Sequence, residues 1–132
     1  MHLSGDMLGR FQAIYYAITG AWPLIHYRSF EAISGPKREP WLVKMVGALT
    51  VVIAAALSSD PHLDAPATRR LAIGSALSYM AVDIWYAGIR RRISPVYLLD
   101  ALVEGVIIVG HVRGGSRADT AIRVGSSARL SR

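Results

Sequence analysis

The sequence predicts an all-α protein, an up-down bundle of four transmembrane helices with short connections and a basic C-terminal tail. Three observations predict it. Of the 132 residues, 52% are hydrophobic and the mean hydropathy is positive, which is too apolar for an ordinary small soluble domain. Four apolar runs, at 7–28, 41–58, 69–89 and 95–112, each approach the roughly 20 residues that a helix needs to cross the hydrocarbon core. The segments between them are short, and short connections make consecutive helices antiparallel neighbours. A soluble four-helix bundle would need a polar outer face, whereas residues 46–57 offer only Thr50 as a clearly polar side chain. Residues 1–112 are therefore expected to form the bundle and 113–132 a basic, flexible or membrane-surface tail.

The first helix, 7–28, is preceded by neither a basic n-region nor a convincing small-residue cleavage site, so it reads as a mature helix and not as a signal peptide. Ala13, Ala17 and Ala21 recur at a spacing of four, which suits close helix contact in lipid. Pro23 removes a backbone donor and invites a kink beside Trp22 and His26. The connection 29–39 contains a Gly35-Pro36 turn together with Phe30 and Glu31, and is expected to fold back over the bundle end as a cap or docking surface. Glu39-Pro40-Trp41 then places Pro at a first helical position beside an interfacial aromatic. Thr68 with Arg69 and Arg70 opens the third helix, in which Gly74 and Ser78 offer a small-residue face. Ser94 is an N-cap candidate followed by Pro95, and Ala101 with Gly105 repeats the small-residue pattern in the fourth helix. Beyond it, Arg113, Arg117, Arg123, Arg129 and Arg132 are set among Gly and Ser.

The net charge of +6 comes from 15 Lys and Arg against 9 acids, and most of these bases lie between or beyond the apolar runs. Bases so placed meet anionic headgroups, and no nucleic-acid-binding motif accompanies them. The expected partners are the lipid bilayer, its anionic headgroups and a membrane-protein partner or a second copy of the chain, with nucleic acid excluded. Counting bases on the two sides of a four-span bundle gives seven against eight, so the positive-inside rule chooses no orientation. With no cysteine, disulfides, a thiol nucleophile and thiolate metal sites are ruled out. Asp60, His62 and Asp64 alternate on a Pro-flanked connection and read as a solvated turn in preference to a cation site. No metal, no cofactor and no catalytic residue is assigned.

Polar chemistry concentrates on helix faces. At 100° per residue, Glu104 lies about 40° and His111 about 20° around the helix from Asp100, so one face of the fourth helix carries all three. An acid at the centre of a membrane helix costs about 2.5 to 3.5 kcal/mol on insertion scales, and such residues face a protein interior or a watery cavity. Tyr79, Asp83, Tyr86 and Arg90 share a face of the third helix, and Gln12, Thr19 and His26 one of the first, with Tyr15 and Tyr16 nearby. These seams are expected to turn toward one another. Asp83 and Asp100 both lie about 8 to 9 Å from the bundle end that joins their helices, at 1.5 Å per residue. Lys44 is at similar depth, and His26, Arg28, Glu31 and Arg90 belong to the same end. The predicted site is thus Asp83, Asp100 and Lys44, with His26 and Tyr79 as further candidates, Arg28, Glu31 and Arg90 at its edge and Glu104 deeper. His111 falls toward the opposite end.

Carboxylates removed from water can accept and release protons, and a nearby base could hold an anion. The competing reading is charge pairing that locks the bundle, with Lys44 and Arg90 snorkelling to the interface. The expected function is therefore a non-enzymatic, multi-pass membrane protein whose inward polar seam binds a small ligand or ion and, by extension, relays protons. Two alternatives stand beside it. One is a structural or accessory subunit of a larger membrane complex, the other a small membrane enzyme using Asp100 or Glu104 as acid or base on a lipid-like substrate.

The stretch Trp22-Pro23-Leu24-Ile25-His26, followed by Ser29-Phe30-Glu31, Gly35-Pro36-Lys37 and Trp41-Leu42-Val43, resembles small four-helix bacterial membrane proteins described as uncharacterised. The resemblance covers mainly the first half of the chain. It implies a multi-pass protein of the bacterial inner membrane and carries no activity or catalytic residue with it.

Overall fold

In a computed structural model the backbone is described for residues 5–130 and the side chains for 7–114. The described chain is all-helical. Helix α1 spans Gly5–Ile25, α2 Tyr27–Ser34, α3 Pro40–Ser59 and α4 Pro66–Asp83; a π-helical segment, Ile84–Ile89, continues α4, and α5 spans Val96–Leu130. The four long helices alternate in direction. α1 packs chiefly on α3 and α4 chiefly on α5, and contacts of α1 with α5 and of α3 with α4 join the two pairs. One end of the bundle, here called the α2 end, holds the connections 26–39 and 90–95. The far end holds the connection 60–65.

Three boundaries differ from expectation. The first apolar run does not continue to residue 28: the chain breaks at His26, whose φ of −140° and ψ of 75° are non-helical, and restarts as α2. His26 Nδ1 accepts from the Ser29 backbone N–H at 3.2 Å, which caps the new helix where Ser, Thr, Asp or Asn is usual. Pro23 stays inside α1, two residues before its end. The third run divides at Asp83 into α-helix and π-helix, whose widened turn is closed by Arg90 N–H donating to the Trp85 carbonyl at 2.8 Å. The fourth helix does not stop at residue 112. Its backbone remains helical through Leu130, roughly 28 Å past His111 at 1.5 Å per residue. The side chains of the expected basic tail beyond residue 114 lie outside the described residues.

The interior mixes polar and apolar side chains. Its fully buried large side chains include Gln12, Tyr16 and Glu104 alongside Leu57 and Ile107, with Ala13, Ala54, Ala72 and Ala76 filling the space between them. Large aliphatic side chains face outward, as at Ile18, Val52, Leu99 and Leu102, each more than 60% exposed. By length and composition one described helix, α3, could cross a membrane, with a mean hydropathy of 2.0. The other long helices carry the polar residues that meet in the interior.

Close approach of α1 and α3 depends on two glycines. A Cβ at Gly47 would stand 2.6 Å from the Gly20 carbonyl oxygen, and one at Gly20 would stand 2.8 Å from that of Gly47. Only hydrogen at both positions allows the backbones to cross there. Of the expected small-residue faces, Ala13 and Ala101 are buried, but Ala17 and Gly74 are exposed, and nothing lies within 4 Å of a Cβ placed on Gly74.

Candidate functional site

Asp100, Glu104 and His111 of α5 are each met by a residue of α1. Near the α2 end, the Tyr15 hydroxyl donates to Asp100 Oδ1. In the middle, the Tyr16 hydroxyl donates to Glu104 Oε2 at 2.9 Å, and both residues are fully buried. Toward the far end, His111 Nε2 lies 2.8 Å from Gln12 Oε1. Ascending numbers on α1 meet descending numbers on α5, as antiparallel packing requires. The geometry also fixes the histidine. Gln12 Nε2 donates to the Ala72 carbonyl at 2.8 Å, an oxygen that only accepts, so the other amide atom is Oε1, and His111 must carry a hydrogen on Nε2 to reach it.

Asp83 completes the layer nearest the α2 end. It is 6% exposed, and its carboxyl lies close to that of Asp100. Its Oδ2 is buried without a hydrogen-bond partner among the described residues. Two carboxylates so placed repel, and a proton held between them removes the repulsion. The π-helical segment begins at the next residue. Such widened turns recur at functional sites, and this one shifts everything after Asp83 relative to the register that an α-helix would give.

Tyr79 forms a side branch. Its hydroxyl is 2.5 Å from Thr50 Oγ1. Because Thr50 Oγ1 donates to the Val46 carbonyl at 2.8 Å, Tyr79 is the donor of that pair. The ring of Tyr79 meets that of Tyr16 edge to face at 5.5 Å between centroids, an arrangement favoured by the ring quadrupoles. Polar contacts therefore run from α5 through α1 to α4 and α3.

The remaining sequence-predicted residues lie elsewhere. Lys44 Nζ stands over the Tyr27 ring, 5.8 Å from its centroid, and is not gathered with Asp83 and Asp100. His26 is exposed and caps α2. Glu31 Oε1 accepts from the Lys37 backbone N–H at 3.2 Å, while Lys37 Nζ donates to the Ser34 carbonyl and lies over the Tyr97 ring at 4.8 Å. These contacts hold the segment from α2 to Lys37 against the start of α5. Arg28 and Arg90 are exposed. The physical reason for the separation is local: at the bundle end a lysine or histidine finds an aromatic ring or a helix terminus closer than a buried acid. Asp60, considered with His62 and Asp64 as a cation site, accepts from the backbone N–H groups of Asp64 at 3.2 Å and Ala65 at 3.0 Å. Those bonds hold its carboxyl below the usual carboxylate range, the bond from Ala65 contributing most.

Gln12, Tyr15, Tyr16 and Thr50 were not predicted as site residues. The signal for the tyrosines was available: a buried acid needs a donor, and a phenol within an apolar helix is a donor with an apolar body. No family model, curated protein or solved structure matches the chain. Its function has to be argued from the seam itself.

Two shallow grooves lie outside the seam. One of about 430 Å³ runs between α3 and α4, and one of about 370 Å³ lies along α4 beside it. Neither is lined by Asp83, Asp100 or Glu104.

Proposed function

We propose that this chain is a multi-pass membrane protein of the bacterial inner membrane, and that its α1–α4–α5 seam takes up and releases protons at Asp83, beside Asp100. The membrane reading is supported by the inverted packing, in which Gln12, Tyr16 and Glu104 are interior while Ile18, Val52, Leu99 and Leu102 face outward. Lipid tolerates apolar surface and demands that polar groups find partners inside the protein. A narrow seam filled by side chains that bond one another suits a proton better than a molecule, so the small-ligand reading contracts to proton or ion exchange. The observation that carries the proposal is the buried, unpartnered Asp83 Oδ2 beside Asp100. A carboxyl needs only a neighbouring acceptor and a route to water to exchange a proton, and this layer lies two turns from the connection 90–95.

Infrared difference spectroscopy of the reconstituted protein tests it. A protonated-carboxyl band that responds to bulk pH and disappears in Asp83→Asn supports the role. An identical pH response in wild type and Asp83→Asn removes it.

A second reading, an accessory subunit of a membrane complex, has one observation in its favour. The α5 backbone continues as helix well past the layer of His111, carrying an arginine-rich sequence out of the bundle. Native gel migration in mild detergent as a larger assembly, lost on truncation after Gly114, is its expected signature.

A further inference from the structure

The two shallow grooves share Arg70 and Gly74 of α4. One is walled by Val46, Leu49 and Ile53 of α3 with Leu71 and Tyr79 of α4. The other is bounded by Pro66, Arg69, Ile73 and Leu77. Gly74 stands between them, and open space surrounds the position its Cβ would take. Arg70 lies one turn nearer the far end of the bundle and is exposed, next to Arg69. From Arg70 to Ser78 the grooved length of α4 is about 12 Å at 1.5 Å per residue. Two apolar grooves that share Arg70 and Gly74, one of them also lined by Arg69, suit a molecule with two apolar tails and a single anionic head.

We infer that α4 holds an anionic diacyl phospholipid, its phosphate on Arg70 and Arg69 and one acyl chain in each groove astride Gly74. The inference rests on the membrane reading above. Charge complementarity selects the anionic head, since a basic side chain at a membrane surface attracts such lipids. The paired grooves select two chains. Tyr79, which lines the larger groove, bonds Thr50 and packs on Tyr16, so the bound lipid abuts a ring that in turn packs on the donor to Glu104.

Gly74→Leu is the decisive variant. Its side chain enters open space and fills the grooves, and leucine is a better helix former than glycine, so the bundle is expected to keep its unfolding temperature. Native mass spectrometry of the full chain in detergent, titrated with phosphatidylglycerol, phosphatidylcholine or lysophosphatidylglycerol, reads the outcome. Wild type should retain one phosphatidylglycerol and favour it over phosphatidylcholine by about fivefold or more, the value of one basic contact. Arg70→Gln should lower that preference, Gly74→Leu should lose retention of both diacyl lipids, and the single-chain lipid should bind more weakly than the diacyl one. Equal retention by wild type and Gly74→Leu, or no preference for the anionic head, overturns the inference while leaving the membrane reading intact. Recovery of the wild-type chain in the aqueous fraction without detergent overturns both.

Discussion

At the residue scale, the seam is a set of partnered polar groups that differ in how fully they are satisfied. Glu104 has its donor in Tyr16, and His111 and Gln12 satisfy each other and Ala72. Removing a donor from a buried acceptor exposes the full cost of its desolvation, about 1 to 3 kcal/mol. Tyr16→Phe is therefore expected to destabilise the bundle by about 1 to 3 kcal/mol, measured by denaturant unfolding in micelles, and Tyr16→Phe combined with Glu104→Leu should cost less than the two changes added. Additive costs would mean that the pair is not coupled. Asp60, on the connection at the far end, has a pH signature of opposite origin. Its carboxyl is held below the unfolded value of 3.8 by backbone N–H groups. The stabilisation is therefore present above that value and lost as pH falls through the lower folded one. Thermal unfolding between pH 5 and pH 2 should show wild type losing an advantage over Asp60→Ala that is constant at higher pH. A constant difference throughout would contradict this.

At the element scale, helix contacts are set by where backbones meet. Gly20 and Gly47 place α1 on α3, and a methyl group at Gly47 would press on a carbonyl that belongs to the opposing helix. Gly47→Ala is expected to cost about 1 to 3 kcal/mol, the usual range for overpacking. Gly74→Ala should be neutral or stabilising by up to about 1 kcal/mol, because it adds helix propensity in open space. Equal effects at the two positions in the same unfolding assay would contradict the crossing geometry. The crossing was not legible in the sequence, because one glycine comes from each helix and no spacing within either marks the pair. The presence of four long helices was legible from the apolar runs, although the last continues well past the run that announced it. The divisions at His26 and Asp83 were not: a histidine cap and a π-helical turn arise from hydrogen bonds that composition does not encode.

At the scale of the whole molecule, the polar face of α5 was readable from its 100° periodicity, and the structure turns Glu104 and His111 of that face inward. The pairing of Asp83 with Asp100 followed from depth, because both stand at matching distances from the same short connection. Depth alone also nominated Lys44 and His26, and it misled there, since flexible side chains at a bundle end bind the nearest ring or helix terminus. Tyr15 and Tyr16 escaped notice as partners because adjacent residues project 100° apart, yet both phenols reach α5. The result is a bundle whose interior is a ladder of hydrogen bonds between α1 and α5, with one incompletely satisfied carboxyl at the layer nearest the α2 end. The central claim, that this layer carries protons within a membrane protein, is tested most directly by proton flux into vesicles reconstituted with the full chain under an imposed pH gradient. Wild type should collapse the gradient faster than empty vesicles, and Asp83→Asn, inserted to the same level, should not. A wild-type chain that holds the gradient as empty vesicles do, or an Asp83→Asn chain that collapses it equally fast, would contradict the account.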